Sequence, residues 1–188
     1  MFHGWDNFNM LVGTAAGTLI GLLFIAMTLT AGFERSQALR GAALYMTPTM
    51  VHFAVVLTAA AAAVAPRLPA VWVAAVLALG ALAGLGNGIR SWVGILGLHR
   101  EQTTPPHWTD LWCYAVAPAA IYLVFAGAAW RVAARDPQAP LLLAGCEMAL
   151  LLLAVRNAWD MVTWMAPGRA PESPPPQDRG ASTPSARS

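Results

Sequence analysis

The sequence predicts an all-α membrane protein, a bundle of about five transmembrane helices followed by a disordered C-terminal tail. Three observations carry this. Apolar residues make up 57% of the chain and charged residues only 11%, against about 25% charged in ordinary soluble domains. The apolar residues fall in long blocks rather than in stripes that leave a polar face. The blocks are also long enough to cross a hydrocarbon core of about 30 Å at about 1.5 Å per helical residue.

The first block, residues 8–31, ends where Gly32, Glu34 and Arg35 bring polarity back. It is longer than a signal-peptide core and lacks a basic leader, so it reads as a retained helix. The second, 42–65, closes at Ala65-Pro66-Arg67. The third, 70–98, follows Pro69 and carries Arg90 toward its far edge. Pro105, Pro106 and the polar residues around them, His99 to Asp110, form a loop, because such a backbone cannot face lipid. The fourth block is 111–134, and the fifth, 140–165, starts beyond Asp136-Pro137 and stops before Pro167. These five make the bundle, 1–165. Residues 166–188 hold six prolines with Ser, Gly and Arg, too little apolar surface to offset chain entropy, and read as a disordered tail.

All basic side chains are arginines, 11 against 9 acidic residues, a net charge too small to imply a nucleic-acid partner. Placing the N-terminus outside puts Arg35, Arg40, Arg100, Arg169 and Arg179 in the cytoplasm and leaves Arg67, Arg131 and Arg135 outside. Five against three predicts an N-out, C-in protein of the inner (plasma) membrane. Cys113 and Cys146 both lie within apolar blocks, where a thiol acts as a small hydrophobe.

Glycine recurs at every fourth position in two blocks, as Gly13, Gly17 and Gly21 and as Gly80, Gly84 and Gly88. Each trio occupies one helix face and predicts close approach of a neighbouring backbone, either within the subunit or across a homo-oligomer seam.

Glu147 lies seven residues beyond Pro140, about 10 Å into the core, where an ionised carboxylate is expensive. It must be protonated, paired or facing water. His52 in the second block falls at a similar depth on an antiparallel helix and is the candidate partner. Such a pair relays a proton or binds a cation, or else only fixes helix register through a buried hydrogen bond. A second polar group, Asn87, Arg90, Asp110, Arg156 and Asp160, gathers at the cytoplasmic edge. Arg156 and Asp160 stand one turn apart on one face. This cluster reads as an anion or lipid-headgroup site, or as ordinary interfacial anchoring beside Trp92 and Trp159. Pro48 and Pro118 are expected to kink their helices and to free a backbone carbonyl each.

No metal spacing joins His99, His107 and Cys113, and no Ser/His/Asp arrangement, phosphate loop or heptad is legible. The sequence therefore points to no metal, cofactor or catalytic residue.

The stretch Gly13 to Phe24, the run Tyr45-Met46-Thr47-Pro48 with His52, and the ending Arg156-Asn157-Ala158-Trp159-Asp160 resemble small bacterial integral membrane proteins with about five transmembrane helices. The resemblance covers residues 5–165 and implies a membrane bundle with no activity attached. Two function classes follow. One is a non-catalytic partner or regulator of a larger membrane complex, the reading preferred because no complete site is visible. The other is a small permease or ion-conducting oligomer with His52 and Glu147 along its path.

Overall fold

The computed structural model describes residues 2–30, 36–101 and 112–165. These form five long helices and no strand. They are α1 (Asp6–Thr30), α2 (Ser36–Val64), α3 (Ala70–Glu101), α4 (Ala117–Ala133) and α5 (Ala139–Met165), with a π-turn at Trp112–Val116 leading into α4. All five are long and apolar enough to cross a membrane, over Asp6–Thr28, Met46–Val64, Ala70–Gly94, Trp112–Ala133 and Ala139–Thr163. The predicted tail, and Asp110 of the predicted edge cluster, lie outside the described residues.

Helix ends differ from the predicted boundaries where polarity alone marks the stop. α2 starts at Ser36 rather than near residue 42, and α3 continues to Glu101. Polar residues do not by themselves end a helix, because the backbone satisfies its own hydrogen bonds within it.

The helices form a four-cornered unit with one helix outside it. α2 packs on α3, α3 on α4, α4 on α5, and α5 back on α2, while α1 leans against α2 and α5. The core follows that plan: Val55, Val56, Leu77, Ala81, Tyr122, Phe125, Leu143 and Leu150 are buried together. A smaller cluster of Leu23, Met46 and Met161 ties α1 to α2 and α5. α1 is the most lipid-exposed span, with 22% of its window buried against 56% for α2. Its outward side carries Leu11, Thr14, Thr18, Gly21, Ile25 and Thr28, all exposed and spaced alternately by three and four residues. This short seam is a heptad-like pattern that the sequence did not reveal, because α1 is apolar on every side and only the fold shows which side faces out.

The turn between α4 and α5 is built without glycine. Arg135 has φ 59°, the left-handed conformation that usually selects glycine after a helix. Arg135 N–H donates to the Val132 carbonyl and Asp136 N–H to the Arg131 carbonyl, at 3.0 and 2.9 Å, closing a Schellman motif. The Arg131 guanidinium then pairs with the Asp136 carboxylate at 2.9 Å, and that carboxylate also accepts from Gln138 N–H at 2.8 Å. Side-chain bonds of this kind hold a backbone that its own residue type disfavours.

The two glycine trios are not uniform. A Cβ at Gly13 would lie 3.2 Å from Ala60 Cβ, and one at Gly17 3.9 Å from Leu57, so these two face α2. Gly80 faces Val55, 3.1 Å from Cγ1. Gly84 meets a side chain rather than a backbone: a Cβ there would overlap the ring of Tyr122. Gly21 and Gly88 have nothing within 4 Å. Gly84→Ala should therefore lower the thermal stability of the detergent-solubilised protein by about 1–3 kcal/mol, as overpacking does. Gly88→Ala should stay within about 1 kcal/mol of the parent, the size of the helix-propensity term alone. Equal melting of the two variants contradicts this assignment.

Candidate functional site

The polar groups that the sequence singled out separate into a sealed central site and an edge network. At the centre, His52 of α2 and Tyr122 of α4 stand at diagonally opposite corners of the four-helix unit. They are joined by a hydrogen bond of 2.8 Å between His52 Nδ1 and the Tyr122 hydroxyl. The rings lie 5.5 Å apart, centroid to centroid. α3 runs between these two helices on one side, and the Tyr122 ring crosses it where Gly84 presents no side chain. Phe125, one turn along α4, packs edge-on to Tyr122 at 6.4 Å.

Glu147 comes from α5. It is 0% exposed, His52 is 1% exposed and Tyr122 0%. Glu147 lies in the middle of the buried arc of its helix, with Leu143, Ala144, Leu150 and Ala154 buried around it. His52 is twelve residues before Val64 and Glu147 eight residues after Ala139, about 18 and 12 Å from the same end of the antiparallel pair, so their backbone levels differ by about one helical turn. No hydrogen bond joins them. The His52 Nε2 and both Glu147 carboxyl oxygens are buried without a hydrogen-bond partner. The partner that sequence reasoning missed is Tyr122. A tyrosine in an apolar block attracts no notice, and its reach depends on the absence of a side chain on another helix.

At the other end of α5, Arg156 bonds to Asp160 at 3.0 Å and donates to Asn157 Oδ1 at 3.2 Å. Asn157 is fully buried. Its Nδ2 donates to the Cys113 carbonyl at 3.3 Å, and its own carbonyl accepts from the Tyr114 hydroxyl at 3.4 Å. These contacts fasten α5 to the π-turn. Pro118 stands at the start of α4 rather than in its interior, so the fourth span changes helical register there instead of simply bending. A π-register bond runs between residues five apart, and Pro118 has no N–H to offer the Cys113 carbonyl; Asn157 supplies a donor to it. α2, in contrast, stays helical through Pro48. Asn87 is buried with Nδ2 unpartnered, and Arg90 is exposed on α3. Among the described residues no bond connects these two to Arg156 or Asp160.

An open apolar groove of about 580 Å³ runs between α4 and α5, lined by residues including Ala120, Val124, Leu141, Gly145 and Cys146. It passes beside Glu147 without including it. Among the described residues no group of three His, Cys, Asp or Glu side chains is placed to hold a metal ion.

No family model matches the chain, and no curated protein and no solved structure is significantly similar to it. Among the described residues, five apolar membrane-length helices, four of them around a sealed polar centre, define a multi-pass membrane protein.

The His52–Tyr122 bond gives a direct stability test. Hydrogen bonds between membrane helices contribute about 0.6 kcal/mol on average and up to about 1.7 kcal/mol. His52→Ala and Tyr122→Phe, measured singly and together by unfolding in detergent micelles, should show a coupling energy within that range. Additive effects contradict the bond.

Proposed function

We propose that this chain is a non-catalytic partner or regulator of a larger complex in a bacterial inner membrane, oriented N-out and C-in, and that α1 carries the contact. The outward seam of α1 is the observation that supports it. Thr14, Thr18, Gly21 and Thr28 lie on one exposed face with Leu11 and Ile25. Their small size suits close helix–helix packing where lipid supplies no hydrophobic drive. The Thr18 and Thr28 hydroxyls donate to carbonyls of their own helix, at 2.9 Å to Thr14 and 2.8 Å to Ile25. The seam is therefore smooth and has little polarity to repel a neighbouring helix. α1 also stands outside the four-helix unit, so a partner can dock on it without disturbing the centre.

The permease reading has less support. Glu147 is fully enclosed, and the groove between α4 and α5 bypasses it.

A photo-crosslinking residue placed at Thr18 in cells should give a discrete protein adduct that the same probe at Leu79, an exposed position on α3, does not give. Gly21→Ile should abolish the adduct without lowering the melting temperature of the isolated protein. Identical labelling from both positions, or an adduct indifferent to Gly21→Ile, contradicts the proposal. An adduct whose mass is twice that of the chain identifies a homo-oligomer instead.

A further inference from the structure

The centre of the bundle holds buried, unpartnered polar atoms on His52 and Glu147, about one helical turn apart in height. The Tyr122 hydroxyl forms one hydrogen bond, to His52 Nδ1. When the phenol donates to Nδ1, its proton is used and the neutral imidazole carries its own proton on Nε2. Nε2–H then has no acceptor, while the Glu147 oxygens have no donor. Native interiors rarely leave such atoms orphaned, and those that persist mark strain or function.

We propose that Glu147, with the Tyr122–His52 pair, forms an internal site whose ligand is a single proton. In the loaded state the carboxyl group holds the proton and α5 packs as described. In the unloaded state the O–H bond of the carboxyl group breaks during a local opening of the bundle, and the proton passes to the water that enters. The electron pair left on the carboxylate accepts the Nε2–H of His52, and no proton moves on or off the imidazole. The ligand's departure thus replaces two orphaned groups with one charge-assisted hydrogen bond and draws α5 toward α2.

The surroundings leave this exchange to few groups. α2 contributes His52, α4 contributes Tyr122, and α5 itself contributes the buried thiol of Cys146 beside Glu147. α1 has no titratable residue beyond Asp6 as far as Thr30, and α3 has none from Ala70 to Ile89. Tyr122 fixes the tautomer, Gly84 lets Tyr122 reach it, and Glu147 binds the proton. The site is independent of what α1 contacts, so failure of either proposal leaves the other standing.

Nitrogen NMR of the full chain in liposomes, with ring-labelled histidine, tests this. The His52 signal is assigned by its loss in His52→Phe. With rising pH, Nε2 of His52 should stay protonated while its signal shifts as the carboxylate forms, and the shift should vanish in Glu147→Gln. Tyr122→Phe keeps the ring over Gly84 but removes the hydroxyl, and should convert the single His52 tautomer into a mixture of two. This second arm decides the matter if Glu147→Gln fails to fold. An Nε2 signal that is constant at every pH, one that shifts equally in Glu147→Gln, or one unchanged tautomer in Tyr122→Phe overturns the proposal.

Discussion

Tyr122 reaches His52 because residue 84 has no side chain. The other contacts at the bundle centre are arranged around that crossing. α2 and α4 occupy opposite corners of the four-helix unit and are each packed on α3. A Cβ at position 84 would occupy the space of the Tyr122 ring, and displacing the ring would break its hydrogen bond to His52 Nδ1. In hydrocarbon an imidazole nitrogen without a partner costs more than it does beside water. One glycine therefore lets Tyr122 of α4 satisfy a polar atom on α2.

Polar groups in a membrane interior select one arrangement among many that lipid leaves nearly equal in energy, because apolar helices gain little by preferring one another over acyl chains. Two such selections operate here, one at the centre of the bundle and one toward an end. His52 and Tyr122 set the relation of α2 to α4. Asn157 sets the relation of α5 to the π-turn, through the carbonyl of Cys113 and the hydroxyl of Tyr114. Glu147 is buried about one helical turn from the level of His52 and spends neither oxygen on the packing. This separates it from the residues that only fix register and is the reason it carries a chemical proposal.

The five spans were legible because apolar length is a direct consequence of bilayer thickness. Their ends were less so, since Ser36 to Arg40 and His99 to Glu101 are polar yet helical. Glu147 and His52 stood out as ionisable groups in apolar blocks. Tyr122 did not, because its importance lies in what faces it. The glycine spacing says nothing about what lies across each position on α3: Gly80 meets a valine, Gly84 a ring, and Gly88 no neighbour within 4 Å. Pro118 signalled a disturbed backbone in the fourth span, but the residue that answers it, Asn157, is nearly forty positions later. Long-range complements of this kind are fixed only when the helices are assembled.

The central claim, that residue 84 must be glycine because Tyr122 passes over it, is tested most directly by moving both positions together. The cost of Gly84→Ala is measured by thermal unfolding in micelles, once in the parent and once in a Tyr122→Ala background. If the ring is what occupies the space, the cost present in the parent disappears when the ring is gone. An equal cost in both backgrounds places the constraint on Gly84 elsewhere and contradicts the account.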